Sequence, residues 1–334
     1  MKINQNPNKN MKAILCPKYG SPDILEFKEL EKPVPRDNEV LIKIYASSLN
    51  AADWHIMRGD PSLARLFLGL LKPKYKILGA DIAGQVEAVG KSVTQFKPGD
   101  NVFGDLSSCG FGGFAEYVCA AEDALVLKPV TITFEEAAAV PLAAISALQG
   151  LRTSGLIRSG QKVLINGASG GVGTFAVQIA KAFGAEVTAV CSTGKMEMVR
   201  SIGADHVIDY TKEDFTRKGE RYDLIVAANG NRSILDYRRT LTPTGRYVMI
   251  GGSGTQMTQA IFLGPFISII SKKKMGNLMA SANQNDLVFI KELLEAGKIK
   301  PVIDKRYALS QVPDAMRYLE EGHAMGKIVI TMER

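Results

Sequence analysis

The stretch LINGASGGVGTFAVQIAKAFGAEV, residues 164–187, has the pattern of a strand, a glycine-rich turn, a helix and a second strand. Its helical part carries apolar residues every three or four positions, and Gly184 supplies a C-terminal stop. Glycines between a strand and a helix let the backbone turn tightly and approach a phosphate at the positive helix N-terminus. The stretch therefore predicts a dinucleotide site, with a purely structural turn as the alternative. The predicted site residues are Ser169, Gly170, Gly171, Val172 and Gly173.

The neighbouring sequence supports the dinucleotide interpretation. Apolar strand candidates alternate with segments long enough for crossover helices, a pattern typical of a parallel sheet covered on both faces. The candidates are KVLIN (162–166), EVTAVC (186–191), HVIDY (206–210), YDLIVAA (222–228) and RYVMIGG (246–252).

In the first third of the chain, short apolar runs are separated by turns. This pattern predicts a mostly β domain. A chain of 334 residues fits two domains. We predict a disordered extension over residues 1–10, a β domain over 11–130 completed by 300–334, and a dinucleotide-binding domain over 131–299. The whole is predicted to be α/β, with a doubly wound parallel sheet in the second domain.

Composition narrows the possible partners. The net charge is +7, but the lysines are spread along the chain and only residues 272–274 form a run, so we predict no nucleic-acid binding. The longest apolar stretch, Ala260–Ile270, contains Gly264 and Pro265 and is too short to span a bilayer. The start MKINQNPNKN has neither signal nor transit character, and the four cysteines have no paired spacing. These features predict free thiols and a cytoplasmic location.

The end of the second predicted strand bears on the choice of cofactor. In an NAD site an acidic residue at this position accepts a hydrogen bond from the ribose 2′-hydroxyl. In an NADP site the 2′-phosphate needs hydrogen-bond donors or a cation there instead. Here Cys191 is followed by Ser192, Thr193, Gly194 and Lys195, with no carboxylate. Ser192 and Lys195 are therefore predicted phosphate ligands, and Tyr210 could close over the adenine or phosphate. The prediction is NADPH, with an ordinary polar loop as the alternative.

Six segments carry a resemblance to a known family. They are GADIAGQVEAVGKSVTQFKPGDNVFG (79–104), GFAEYV (113–118), AAAVPLAAISALQGL (137–151), INGASGGVGTFAVQIAK (165–181), GADHVIDY (203–210) and GHAMGKIVI (322–330). On these the chain resembles the medium-chain dehydrogenase/reductase superfamily, in its zinc-independent NADPH quinone oxidoreductase branch, and within that the reticulon-4-interacting-protein group. The resemblance implies a GroES-like catalytic domain, a Rossmann domain and a homodimer.

This chain differs from the zinc-bearing relatives at their zinc-ligand positions, and the differences indicate the type of reaction. Asn50 stands where those enzymes have their first cysteine, and Ala80 replaces the histidine of their Gly-His-Glu triplet. Since tetrahedral zinc needs three protein donors, we predict no metal. Without a Lewis acid, hydride transfer to a quinone or an α,β-unsaturated carbonyl is easier than alcohol oxidation, because conjugation spreads the arriving charge.

The resemblance also implies site residues. Asn50 lies at the family's active-site position with an amide donor, and Asp53 could orient a neighbour. His55 could donate a proton, or it could be a partly exposed histidine with no chemical role. Trp54 is interpreted equally as a pocket wall or as core. The remaining implied cofactor contacts are Asn229, Gly251, Gly252 and Lys327.

Two alternatives to a reductase remain at this point: an NADPH-binding sensor or interaction protein with incidental redox activity, and an alcohol dehydrogenase. The apolar stretch Met257–Met279 is predicted to be a pocket wall or a dimer strand, and a contact for a quinone tail is the further alternative.

Overall fold

The computed structural model describes residues 10–230 and 232–332, and the chain forms two compact units. The first unit comprises residues up to 142 together with 282–291 and 303 onward, and the second comprises 143–281 and 292–302. The extension predicted to be disordered lies, except for Asn10, outside the described residues.

The first unit is built mainly from strands. Its strands are β1 (Asn10–Leu15), β2 (Glu26–Glu31), β3 (Glu39–Ser48), β4 (Asp81–Val89), β5 (Asn101–Asp105), β6 (Tyr117–Ala121), β7 (Leu125–Leu127), and, from the C-terminal part, β14 (Ile303–Ala308) and β15 (Lys327–Thr331). Its helices are α1 (Ala51–Arg58), α2 (Arg65–Leu68), α3 (Phe134–Ala138) and α10 (Val312–Glu320).

Strand β3 is the centre of this unit. It pairs antiparallel with β4, β6 and β15, and the seven-stranded sheet follows the order β14-β15-β3-β4-β5-β7, with β6 also on β3. The C-terminal strand therefore completes a sheet begun nearly three hundred residues earlier. Val40, Ile42 and Ile44 of β3 point inward at alternate positions and are at most 1% exposed, as a half-buried strand requires.

The second unit is a parallel sheet with helices. Its strands are β8 (Lys162–Asn166), β9 (Glu186–Cys191), β10 (His206–Asp209), β11 (Tyr222–Ala227), β12 (Leu241–Met249) and β13 (Lys274–Asn277). Its helices are α5 (Gly171–Ala182), α6 (Met196–Ser201), α7 (Ile234–Thr240) and α8 (Gly254–Ile270), while α4 (Pro141–Leu148) and α9 (Gln284–Glu295) each begin in the first unit and end in the second.

The strand order in this unit is β10-β9-β8-β11-β12-β13, and every pair is parallel. Counted within the unit this is 3-2-1-4-5-6, the doubly wound order of dinucleotide-binding folds. The order reverses between β8 and β11, and ligands of such sheets bind beyond the carboxyl ends of the strands at that point. The two sheets confirm the predicted fold class, a mostly β domain together with a doubly wound parallel sheet.

Two helices were not apparent from the sequence. The segment SLNAADWHIMRG contains α1, which the sequence analysis treated only as a source of site residues. The apolar stretch predicted as wall or strand is mostly α8, with only β13 extended. Pro265 and β-branched residues within α8 hide its period, whereas its buried residues Gln256, Ala260, Gly264 and Ile267 follow helical spacing.

Candidate active site

A buried ion pair lies at the centre of the first unit. The Lys327 ammonium is 3.1 Å from Oδ2 of Asp81, and the two side chains are 3% and 0% exposed. The ammonium also donates to the Leu49 carbonyl at 2.9 Å and to Oδ1 of Asn50 at 2.5 Å. These three acceptors match the three N–H groups of a lysine. The ammonium that the resemblance assigned to cofactor contact is thus engaged with its own unit.

The same pair fixes the orientation of the Asn50 amide. An ammonium only donates and a carboxylate only accepts, so Oδ1 must face Lys327 and Nδ2 must face Asp81. The distance from Nδ2 to Oδ2 of Asp81 is 2.9 Å. Ser48 and the Leu142 backbone N–H also donate to the Asp81 carboxylate, both at 2.8 Å. One N–H of the Asn50 amide remains as a donor held in a set direction.

Asp53 positions the chain around Asn50. One carboxylate oxygen accepts from the Asn50 backbone N–H at 2.8 Å, in a capping box at the start of α1, and the other accepts from the Gly79 N–H at 3.0 Å. It therefore ties the N-terminus of α1 to the segment that leads into β4. The sequence prediction that Asp53 orients a neighbour corresponds to these two contacts.

Burial perturbs two of the acidic groups here. It raises the pKa of Asp53 to about 7, against the two backbone N–H donors, which lower it. Burial also raises the pKa of Asp105 to about 6, and the charge of Asp81 adds to this. With one buried ammonium among three buried carboxyl groups, the cluster is acidic, and part of it holds protons near neutral pH.

His55 does not join this cluster. Its Nδ1 is 3.0 Å from the Asp60 carbonyl, which can only accept, so Nδ1 carries the proton and Nε2 is the acceptor of the neutral ring. The ring stacks on Trp54 at a centroid distance of 3.7 Å. Trp54 in turn packs, partly buried, against the core formed by α1, α10 and neighbouring strands. Of the two interpretations of Trp54, the structure shows the core contact.

In the second unit the glycine-rich turn fits a dinucleotide phosphate. Gly170 is the N-cap of α5 and makes no side-chain hydrogen bond to the helix, and the first N–H groups of a helix have no partner within it. A Cβ on Gly173 would lie 2.1 Å from the Gly167 carbonyl oxygen, so the turn closes only with glycine there. Gly167 itself has φ +80°, and a Cβ there would lie 2.7 Å from the Asn229 nitrogen.

Asn229, Gly251 and Gly252 lie beside this turn at the carboxyl ends of β11 and β12. The Asn229 N–H donates to the Asn166 carbonyl at 3.2 Å, and the Gly251 N–H donates to the Ala227 carbonyl at 3.1 Å. At Gly252, φ is +149° and a Cβ would lie 2.9 Å from the Gly230 carbonyl oxygen. The structure therefore gathers these predicted residues at the switch point of the sheet.

A polar network beneath these glycines was missed by sequence reasoning. Asn166 Nδ2 donates to the Tyr237 hydroxyl at 2.6 Å, and Gln256 Nε2 donates to the Tyr247 hydroxyl at 2.8 Å. All four side chains are at most 8% exposed. A Cβ on Gly230 would lie 2.5 Å from Asn166 Nδ2. The network therefore packs directly against the backbone that follows β11. Its members come from four separate elements, which no local pattern could indicate.

Ser192, Lys195 and Tyr210 meet at the ends of β9 and β10. Cys191 and Asp209 are paired in the sheet, so the residues that follow them are neighbours, and the Tyr210 N–H donates to the Cys191 carbonyl at 3.1 Å. Lys195 closes a short turn by donating its N–H to the Ser192 carbonyl at 3.0 Å. Tyr210 is 56% exposed, as a residue that covers a ligand would be.

Two charged residues at this edge were not singled out from the sequence. Asp209 ends β10 and accepts hydrogen bonds from Thr193 and from Thr211, which hold its pKa below the usual range. The residue is 4% exposed, although it lies next to the predicted phosphate loop. Arg200, on α6, acts with Lys195 to lower the pKa of the Cys191 thiol, against the dominant effect of burial, so both cations lie near the end of β9.

Comparison with known proteins agrees with this arrangement. Residues 36–130 match the alcohol dehydrogenase GroES-like domain, and residues 202–330 match the zinc-binding dehydrogenase domain. The chain is 37% identical over 333 residues to a chloroplast envelope quinone oxidoreductase homolog of Arabidopsis thaliana, covering 96% of this chain and 98% of that protein. It is 34% identical to an NADPH-dependent alkenal/one oxidoreductase of the same plant, covering 96% and 80%. The quinone oxidoreductase of Coxiella burnetii superposes with a TM-score of 0.85 at 29% identity, covering 97% and 100%.

The chain therefore belongs to the medium-chain dehydrogenase/reductase superfamily, in its quinone oxidoreductase group. It is an oxidoreductase with a nicotinamide dinucleotide as its cofactor. Among residues 10–230 and 232–332, no group of three or more His, Cys, Asp or Glu side chains is arranged to hold a metal ion. No helix in those ranges has both the length and the apolar character needed to cross a bilayer.

Proposed function

We propose that this protein transfers a hydride from NADPH to a quinone or an α,β-unsaturated carbonyl, without a metal ion. The observation that carries the proposal is the Lys327–Asp81 pair with the Asn50 amide between them. Relatives named quinone oxidoreductase and alkenal/one oxidoreductase support the choice of substrate class.

The proposal that no metal ion takes part is based on the side chains at the zinc-ligand positions of the family. Asn50 and Ala80 offer no side chain of the kind that binds zinc at the two family positions, and the Asp81 carboxylate already accepts from Ser48, Asn50, Lys327 and the Leu142 backbone. A cation, the Lys327 ammonium, stands at this carboxylate. We infer that it provides the local positive charge and that no zinc is required.

Asn50 is the proposed donor to the substrate carbonyl. Its Oδ1 accepts from a buried ammonium, which draws electron density from the amide and strengthens the remaining Nδ2–H as a donor. Such a preorganised donor stabilises negative charge as it develops on the carbonyl oxygen. A bound nicotinamide supplies the hydride. We assign Lys327 and Asp53 as positioning residues, and His55 in its imidazolium form as the proton source at its Nε2 atom.

The second unit supplies the groups that would select NADPH over NADH. Ser192, Lys195 and Arg200 offer a hydroxyl and two cations near the end of β9, where a 2′-phosphate would lie. The nearby carboxylate of Asp209 already accepts three hydrogen bonds from Thr193 and Thr211, so it is less available to a ribose hydroxyl. The pyrophosphate would lie on the turn from Ser169 to Gly173, with Asn229, Gly251 and Gly252 beside the nicotinamide end.

Assembly and location complete the proposal. Strand β13 is the last of its sheet and leaves one edge open, so a second copy pairing there would give a homodimer. Cys16, Cys109, Cys119 and Cys191 are all free thiols, which supports a reducing compartment such as the cytoplasm.

A steady-state screen tests the proposed reaction. NADPH oxidation is measured with a panel of quinones, a panel of enones and a panel of simple aldehydes and alcohols with the matching cofactor form. We expect turnover with one or both conjugated panels and little with the third. Tight NADPH binding with no turnover above buffer for any acceptor would instead favour a sensor or interaction protein.

A further inference from the structure

One surface segment of the first unit is used by neither of the sites described above. Residues 61–76 lie between α1 and β4 and contain the short helix α2. Four large apolar side chains within six residues are exposed here: Leu66 by 61%, Phe67 by 82%, Leu70 by 67% and Leu71 by 94%. Single exposed apolar residues are common on proteins, but a group of this size commonly marks an interaction surface.

Hydrogen bonds and a cation–π contact hold the backbone around these exposed side chains in place. The Tyr19 hydroxyl donates to the Gly69 carbonyl at 2.5 Å, and the Arg65 guanidinium lies 4.6 Å from the centre of the Tyr19 ring. Arg65 Nε also donates to the Gly59 carbonyl at 3.0 Å. On the other side, the Lys74 N–H donates to the Leu68 carbonyl at 2.6 Å. Hydrogen bonds therefore hold the backbone on both sides of Leu70 and Leu71.

Lysines follow the apolar group at alternate positions. Lys72, Lys74 and Lys76 are exposed, whereas Pro73 is buried and Tyr75 is partly buried against the core. The alternation directs the inner residues to the core and the ammonium groups to solvent. Residues 61–80 contain no Asp or Glu, so no acidic side chain of the segment offsets these charges.

We propose that this segment, residues 66–76, is a docking surface for an anionic lipid bilayer. Apolar side chains of a peripheral protein enter the boundary between headgroups and acyl chains, while flanking lysines contact lipid phosphates. The order of residues here, an apolar tip directly followed by three exposed lysines, meets both requirements. Binding of this kind is interfacial and needs no spanning helix.

The charge of the segment argues against a second copy as the occupant. A symmetric contact would bring two sets of Lys72, Lys74 and Lys76 together, and like charges in one interface are unfavourable. The proposal rests on the first unit alone. It therefore does not depend on the reaction proposed above, and its test does not use enzyme activity.

Sedimentation with vesicles tests the proposal. The full-length protein is mixed with vesicles of phosphatidylcholine alone, or with about 30% phosphatidylglycerol, at low and at raised ionic strength. We expect binding to the anionic vesicles that weakens as salt is added, and much weaker binding to neutral vesicles. Equal binding to the two compositions would overturn the proposal.

Two variants and two matched controls locate the surface. Lys72→Gln/Lys74→Gln/Lys76→Gln is expected to weaken binding about 100-fold, since each lysine near such a surface contributes about fivefold. Phe67→Ser/Leu71→Ser is expected to weaken it at least about tenfold. Lys91→Gln/Lys97→Gln/Lys298→Gln removes the same charge elsewhere, and Val34→Ser/Val130→Ser removes exposed apolar groups elsewhere. Both controls are expected to bind like the unchanged protein.

Other outcomes contradict the proposal. If the loop variants fold normally and bind vesicles as the unchanged protein does, the lipid contact lies on a different surface. If Phe67→Ser/Leu71→Ser converts a dimer to a monomer in sedimentation velocity while vesicle binding stays the same, the segment contacts a second copy instead. Thermal unfolding of every variant shows whether the fold is retained.

Discussion

The ammonium of Lys327 and the carboxylate of Asp81, 246 residues apart in the chain, form a buried ion pair with a separation of 3.1 Å. Strand β15 brings the lysine beside the end of β3, and β4 starts with the aspartate. The amide of Asn50 contacts both groups. The C-terminal strand thereby contributes a charge to a site otherwise formed by residues between 48 and 142.

Removing one partner of this pair should be strongly destabilising. Lys327→Met and Asp81→Asn each leave a buried group without its counterpart and are expected to cost about 3–5 kcal/mol in the free energy of unfolding. Urea denaturation of both single variants and of the double variant measures the coupling. We expect the double variant to lose less than the sum of the single losses, and strict additivity would show that the pair does not act as a unit.

Asp53 should make the stability depend on pH. Burial raises its pKa from 3.8 to about 7, so between these values the folded protein binds more protons than the unfolded chain. Stability therefore falls as pH rises through this range, by up to about 4 kcal/mol.

The comparison is with Asp53→Asn, which cannot titrate. Asp105, whose pKa is about 6, is present in both proteins and cancels. The difference in unfolding free energy, unchanged protein minus variant, should be larger near pH 5 than near pH 7.5. A difference that stays constant with pH would mean that Asp53 is ionised throughout.

Two glycines of the phosphate turn should respond differently to the same methyl group. At Gly173 a Cβ would lie 2.1 Å from a carbonyl oxygen, so Gly173→Ala should destabilise the fold by about 2 kcal/mol or more.

At Gly170 the nearest atom would be 3.8 Å away and φ is −85°, so Gly170→Ala should fold normally. We expect Gly170→Ala to bind NADPH at least about tenfold more weakly, because the methyl group lies where the pyrophosphate would approach the helix N-terminus. Chemical denaturation and fluorescence titration measure the two effects, and normal NADPH affinity in Gly170→Ala would argue against a phosphate at this turn.

Lys195 should distinguish the two forms of the cofactor. Lys195→Ala removes a charged contact to a 2′-phosphate and is expected to raise the KM for NADPH about tenfold or more, with little change for NADH. Lys212→Ala, which removes a neighbouring exposed charge, is the control. Equal effects of Lys195→Ala on both cofactors would reject the assignment.

His55 should contribute a proton only when its ring is charged. Because Nδ1 donates to the Asp60 carbonyl, the neutral ring presents an acceptor at Nε2, and donation from Nε2 needs the imidazolium form. His55→Asn has no group that can supply this proton and is expected to lower kcat by about 100-fold, measured by steady-state reduction of the preferred acceptor. A kcat equal to that of the unchanged protein would exclude His55 as the proton source.

The local parts of the fold could be predicted from the sequence. The glycine turn after β8, the four strands predicted after it and the end of α5 at Gly184, where φ is +78°, all follow from short-range patterns. Helices α1 and α8 could not be predicted in the same way, since their apolar positions do not form a single clear stripe in sequence. The candidate site residues Gly170, Gly171, Gly173, Ser192, Lys195 and Tyr210 could likewise be proposed from the sequence, because each lies at or shortly after the end of a predicted strand.

The sequence by itself determined the dinucleotide-binding architecture, because strand and helix periodicity and the conformational needs of glycine are local properties. Tertiary structure alone decided the arrangement of the proposed catalytic centre. The pairing of Lys327 with Asp81, the direction of the Asn50 amide and the raised pKa of Asp53 all depend on burial and on contacts between segments distant in the chain. Electrostatic interactions of this strength arise only where folding excludes water, so no pattern of neighbouring residues could specify them.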